Sequence, residues 1–97
     1  MTETTQKEIK RLANKYSVHG ITAETITHIV ETAPEDMSEH AALVGARMCL
    51  ALETGETEYY TAADVASVTG ETEKEIKARM KKAGITEYKV TNILDIL

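Results

Sequence analysis

Residues 37–55 read MSEHAALVGARMCLALETG, and from Ala41 to Leu52 only Gly45 and Arg47 fall outside the apolar class. A helix of that composition has no ordinary polar face to turn to water and must be covered from most sides. The stretch is therefore predicted as a central helix. Its ends are written locally: the Ser38 hydroxyl can accept from the first free N–H groups, and Gly55 supplies the left-handed residue that closes the last turn. Ala42, Gly45, Ala46 and Cys49 recur at three and four residues, a line of small side chains along which a neighbouring helix can approach, with Cys49 read as a buried packing residue. Arg47 is the exception, expected to run along apolar surface to a carboxylate or to water.

Around this helix there is material for one domain over residues 1–97. The apolar residues are eight Ile, six Leu, six Val and four Met, with no Phe or Trp and four Tyr, which suits helices packed through many small aliphatic contacts. The fold expected is all-α, a compact orthogonal bundle of five to six helices. A single Cys leaves no disulfide framework within the chain and no Cys-rich zinc finger. No apolar run is long enough to span a bilayer and the start, MTETTQKEIKR, is polar, so a cytoplasmic protein with no membrane partner is expected. A formal charge of −5 disfavours indiscriminate nucleic-acid binding over the whole surface but leaves room for a local basic face.

Ile9, Leu12, Ala13 and Tyr16 lie at helical spacing in a first amphipathic helix from Thr4 to Tyr16. Thr22 caps a second, whose face of Ile26, Ile29, Val30 and Ala33 ends before Pro34. After the central helix a polar link, Glu53 to Tyr60, leads to Thr61, which caps a short fourth helix ending near Val68 while Tyr60 packs back on Val65. Thr72 and Glu75 form a capping-box pattern for a fifth helix closed by Gly84, with Ile76, Met80 and Ala83 inward. The last segment, Thr86 to Leu97, places Val90, Ile93, Leu94 and Leu97 at helical spacing and is read as helix, although its β-branched content leaves a strand open.

Catalysis finds no support in spacing. His19, His28 and His40 are scattered, and no His or Cys pair has the spacing of a shared helical metal site. There is no glycine-rich phosphate loop, nucleophile elbow or HExxH. No catalytic residue, metal ligand or cofactor is assigned, and a noncatalytic role is expected.

The informative stretch is residues 61–82, TAADVASVTGETEKEIKARMKK. Ala66 permits close approach of two helices, Gly70 permits a tight turn, and Ile76 fills the space between, a helix-turn-helix pattern spanning 61–83. On its second helix Lys74, Lys77, Ala78 and Lys81 follow the i, i+3, i+4, i+7 rule opposite the inward residues. Five of the chain's eleven Lys and Arg residues fall between Lys74 and Lys82, as a phosphate-tracking helix requires. Duplex DNA is thus the predicted partner, with Lys74, Lys77 and Lys81 at the centre of the face, Arg79 and Lys82 at its edge, and Thr72 at its start. Glu71, Glu73 and Glu75 oppose this reading, because acid at a helix N-terminus suits the dipole and repels phosphate. The alternative is a helical protein-protein interaction module, an adaptor or homodimer, without nucleic-acid binding.

The sequence from Ala41 through Lys82 resembles the second half of a cyclin-like repeat of transcription factor IIB and its archaeal counterpart, transcription factor B. In that family an Ala-rich central helix precedes a short helix, a Thr-Gly turn and a capped fifth helix, and here Ala66, Thr69, Gly70, Thr72 and Ile76 occupy those places. The resemblance covers about Ser38 to Ala83. It implies a single five-helix cyclin-like repeat with a C-terminal extension, contacting promoter DNA through the helical pair and protein partners through other faces. Glu71 stands where an apolar residue is usual, and the chain has room for one repeat and no zinc ribbon. The implied role is an accessory or regulatory transcription-related factor rather than a complete general factor.

Overall fold

A computed structural model of the protein describes residues 1–89. Those residues form five α-helices and one short strand pair: α1 (Glu3–Lys15), α2 (Ala23–Glu31), α3 (Glu39–Thr54), β1 (Tyr59–Tyr60), α4 (Ala62–Thr69), α5 (Glu73–Ala83) and β2 (Tyr88–Lys89), with a 3-10 turn at Ser17–His19. Side-chain caps define where the helices start. Thr2, Thr22, Ser38, Thr61 and Thr72 each accept a hydrogen bond from the backbone N–H three residues on. Gly55 and Gly84, at φ 79° and 72°, close α3 and α5 in the left-handed region that side-chain-bearing residues avoid.

Helix α3 divides two cores. Ala42, Leu43, Ala46 and Leu50 pack with Ile9, Leu12 and Tyr16 of the first helical segment and Ile26 and Val30 of α2. Val44 faces a second cluster of Tyr60, Ala62, Val65, Ile76, Met80 and Tyr88. The expected staple of Tyr60 on Val65 thus falls within this cluster, where both are fully buried. Strands β1 and β2 pair antiparallel, Tyr59 with Lys89 and Tyr60 with Tyr88, so that the chain entering α4 is tied to the chain leaving α5. No helix among the described residues is long and apolar enough to cross a membrane.

Four expectations change. Cys49 is exposed rather than packed, and a Cβ built on Gly45 meets nothing within 4 Å, so among the described residues the small-residue line is covered at Ala42 and Ala46 and not at Gly45 or Cys49. Ala83 is exposed, because it ends α5 beyond the turn on which Ile76 and Met80 pack. Residues 88–89 are strand instead of helix, since pairing with β1 satisfies their backbone. Val90, Ile93, Leu94 and Leu97 lie outside the described residues. The space at Gly45 carries a prediction: Gly45→Ala should raise stability by roughly 0.5–1 kcal/mol, because it removes the entropic cost of a mid-helix glycine without a clash. Urea unfolding measures this, and a destabilised variant would mean that another surface closes on Gly45.

Candidate nucleic-acid interface

Three residues, Gly70, Glu71 and Thr72, connect α4 to α5. Gly70 adopts φ 78°, which lets the chain reverse within that distance. The start of α4 is held by a reciprocal cap in which Thr61 Oγ1 accepts from the Asp64 N–H at 3.1 Å and Asp64 Oδ2 accepts from the Thr61 N–H at 3.0 Å. Asp64 also receives Arg47 Nη1 at 3.3 Å and meets His40 Nε2 at 2.7 Å, so two residues of α3 anchor α4. Burial pushes the Asp64 carboxyl up, but the His40, Thr61 and Arg47 contacts outweigh it and hold it below the ordinary carboxylate value.

Helix α5 packs through Ile76, fully buried, and Met80, 5% exposed. Lys74, Lys77, Ala78, Lys81 and Lys82 are all exposed on its other side. The expected basic stripe is therefore present, and two further candidates prove to be engaged within the protein. Thr72 Oγ1 accepts from the Glu75 N–H at 3.1 Å and donates to Glu75 Oε1 at 3.0 Å, so its hydroxyl proton serves the helix cap. Arg79 is half-buried, and its Nη2 donates to Glu71 Oε2. Lys77 meets Glu73 at 3.2 Å, an i,i+4 pair with both side chains largely exposed. Beside the stripe an open groove of about 540 Å³ is lined by Ala62, Met80 and Ile85 together with Lys77, Lys81 and Glu73.

Sequence reading passes over Glu58. This carboxylate is 2% exposed and lies just before β1. It accepts from Arg47 Nε at 3.0 Å, from Arg11 Nη2 at 3.3 Å and from the Tyr16 hydroxyl at 3.1 Å, and it also pairs with Lys15. Burial favours its neutral form, yet Lys15 and Arg47 outweigh that effect and hold it below the ordinary carboxylate value. The cluster joins α1 and α3 to the strand that leads into α4. The Arg47 guanidinium also lies 4.9 Å from the centre of the Tyr60 ring.

The Tyr60 hydroxyl is buried without a hydrogen-bond partner among the described residues. Tyr60→Phe keeps the ring under Arg47 and removes an unsatisfied polar atom, so stability should stay level or rise by up to about 1 kcal/mol in urea unfolding. A fall of that size would reveal a partner for the hydroxyl.

Among the described residues no group of three or more His, Cys, Asp or Glu side chains is placed to hold a metal ion. The arrangement offers instead a helix with exposed cations on a buttressed two-helix unit, chemistry suited to anion contact. No family model, curated protein or solved structure matches the chain.

Proposed function

We propose that this chain is a small, noncatalytic, transcription-related protein that binds duplex DNA through α4 and α5 acting as a helix-turn-helix. The observation that carries the reading is the stripe of Lys74, Lys77 and Lys81, exposed along α5 while Ile76 and Met80 on its other side are buried. A helix so placed can lie along the phosphate backbone with three ammonium groups at successive turns, and Lys82 lies at the edge of the same face. The five helices among the described residues agree in number with the cyclin-like repeat that the sequence resembles. That agreement supports, for the same chain, an accessory factor built on one such repeat.

Acid near the start of α5 limits what this face can do. Glu73 and Glu75 occupy its first turn, so the N-terminal end that would enter the groove repels the phosphates flanking it, and contact is expected along the middle and end of the helix. Binding should therefore be dominated by phosphate and carry little sequence preference. Fluorescence anisotropy with random duplex DNA at several salt concentrations tests it. Three phosphate contacts predict a slope of about −2.7 in log affinity against log salt, and an affinity too weak to detect at low salt would overturn the reading.

The groove beside the stripe favours a second reading. Its Ala62, Met80 and Ile85 lining, rimmed by Lys77, Lys81 and Glu73, would suit an apolar side chain on a peptide, and the protein would then be an interaction module. A peptide partner would protect the groove methyl groups in NMR titration without duplex DNA competing.

A further inference from the structure

The Glu71–Arg79 pair lies at the edge of the basic face, and both of its members belong to the α4–α5 unit. Glu71 is the middle residue of the connecting turn, where its N–H donates to Thr69 Oγ1 at 3.3 Å, and the Thr72 cap fixes the start of α5 immediately after it. Between these two points the Glu71 side chain reaches forward and receives Arg79 Nη2. Arg79 follows Glu75 by four residues and precedes Lys82 by three, on a flank of α5 that adjoins the lysine stripe. The side chains of Arg79 and Glu71 are 39% and 29% exposed, so water reaches both and the pair can open. A carboxylate offers a guanidinium fork the same oxygen-edge geometry that a phosphate does.

We propose that Glu71 serves as an intramolecular stand-in for phosphate, holding Arg79 off nucleic acid until the pair opens. This rests on the DNA-binding reading of α5. The free protein would then contact the backbone with lysines alone, and Arg79 would add its contact only when Glu71 is displaced or neutralised. The Lys77–Glu73 pair does not act in this way, because both of its side chains are more exposed and Lys74 and Lys81 beside it have no such partner among the described residues. Glu71 therefore sets how many cations the face presents.

The test compares wild type, Glu71→Gln, Arg79→Gln and the double variant, each titrated with random duplex DNA across a salt series, with thermal unfolding confirming the fold of each. Glu71→Gln is expected to tighten binding and steepen the salt slope by about 0.9, one added phosphate contact. Arg79→Gln should leave the wild-type slope unchanged, and the double variant should return to it. If Glu71→Gln tightens binding equally when Arg79 is absent, the effect is charge alone and the proposal is wrong. It is also wrong if Arg79→Gln flattens the wild-type slope, since Arg79 would then already be on the DNA. Should wild type fail to bind while Glu71→Gln binds in an Arg79-dependent way, the pair still holds Arg79 back; absence of binding in all four removes the DNA reading and this one with it.

Discussion

Glu58→Ala should lower stability by about 3 kcal/mol and the melting temperature by roughly 15 °C. Removing one member of a buried charge cluster costs about 3–5 kcal/mol, chiefly because its partners are left desolvated and unpaired. Here the partners differ in their access to water. Arg47 is 12% exposed and would keep, as hydrogen-bond acceptors among the described residues, Asp64 and the Tyr59 carbonyl, and the buried Tyr16 hydroxyl would be without its acceptor. Lys15 and Arg11, at 28% and 45%, can rehydrate, which places the expected cost at the lower end of the range. Glu58→Gln should be milder, because the amide oxygen can still accept one of these bonds. An unchanged melting temperature for Glu58→Ala would show that the cluster decorates the fold without supporting it.

Acid should act on the same groups. Both Glu58 and Asp64 have folded-state pKa values lowered from the ordinary carboxylate range. A depressed folded pKa contributes stability that is complete above the unfolded value, about pH 4–4.5, and lost as pH falls through the folded one. Wild-type stability should therefore fall steeply below about pH 4, and Glu58→Gln should show a shallower decline with Asp64 still contributing.

The features legible in the sequence are those with local causes. Ser38, Thr61 and Thr72 cap helices through N–H groups three residues away, and Gly55 and Gly84 end them by their own backbone freedom, so these boundaries can be read within one turn. The lysine stripe on α5 is legible for the same reason, since it follows from the helical period and the position of Ile76. Glu58 is not, because its partners Arg11, Lys15 and Tyr16 precede it by 47, 43 and 42 residues and nothing in a polar link marks one Glu as buried. Cys49 defeats the reading because spacing shows which residues share a face but not whether another helix covers it. Strand β2 depends on pairing with β1 across two helices, a pairing with no local signature. Periodicity places Arg79 on the basic face, but its partner Glu71 sits before the helix cap, where periodicity does not reach.

Replacing Lys74, Lys77 and Lys81 together by Gln should abolish most salt-sensitive binding to duplex DNA while leaving the fold intact. The slope of log affinity against log salt flattens by about 0.9 for each phosphate no longer neutralised, so the triple change should flatten it by about 2.7. The fold should survive because all three side chains are exposed, and the one ion pair they make among the described residues, Lys77 with Glu73, is a surface i,i+4 interaction of small worth. Gln has nearly the helix propensity of Lys, so α5 should keep its packing through Ile76 and Met80. Single substitutions should each flatten the slope by about one third of that amount, whereas a protein that used only one lysine would concentrate the effect at one position. A triple variant that melts as wild type and binds duplex DNA with an undiminished salt slope would move the interface to another face of the protein, and the α5 stripe would then be a solvated helix surface.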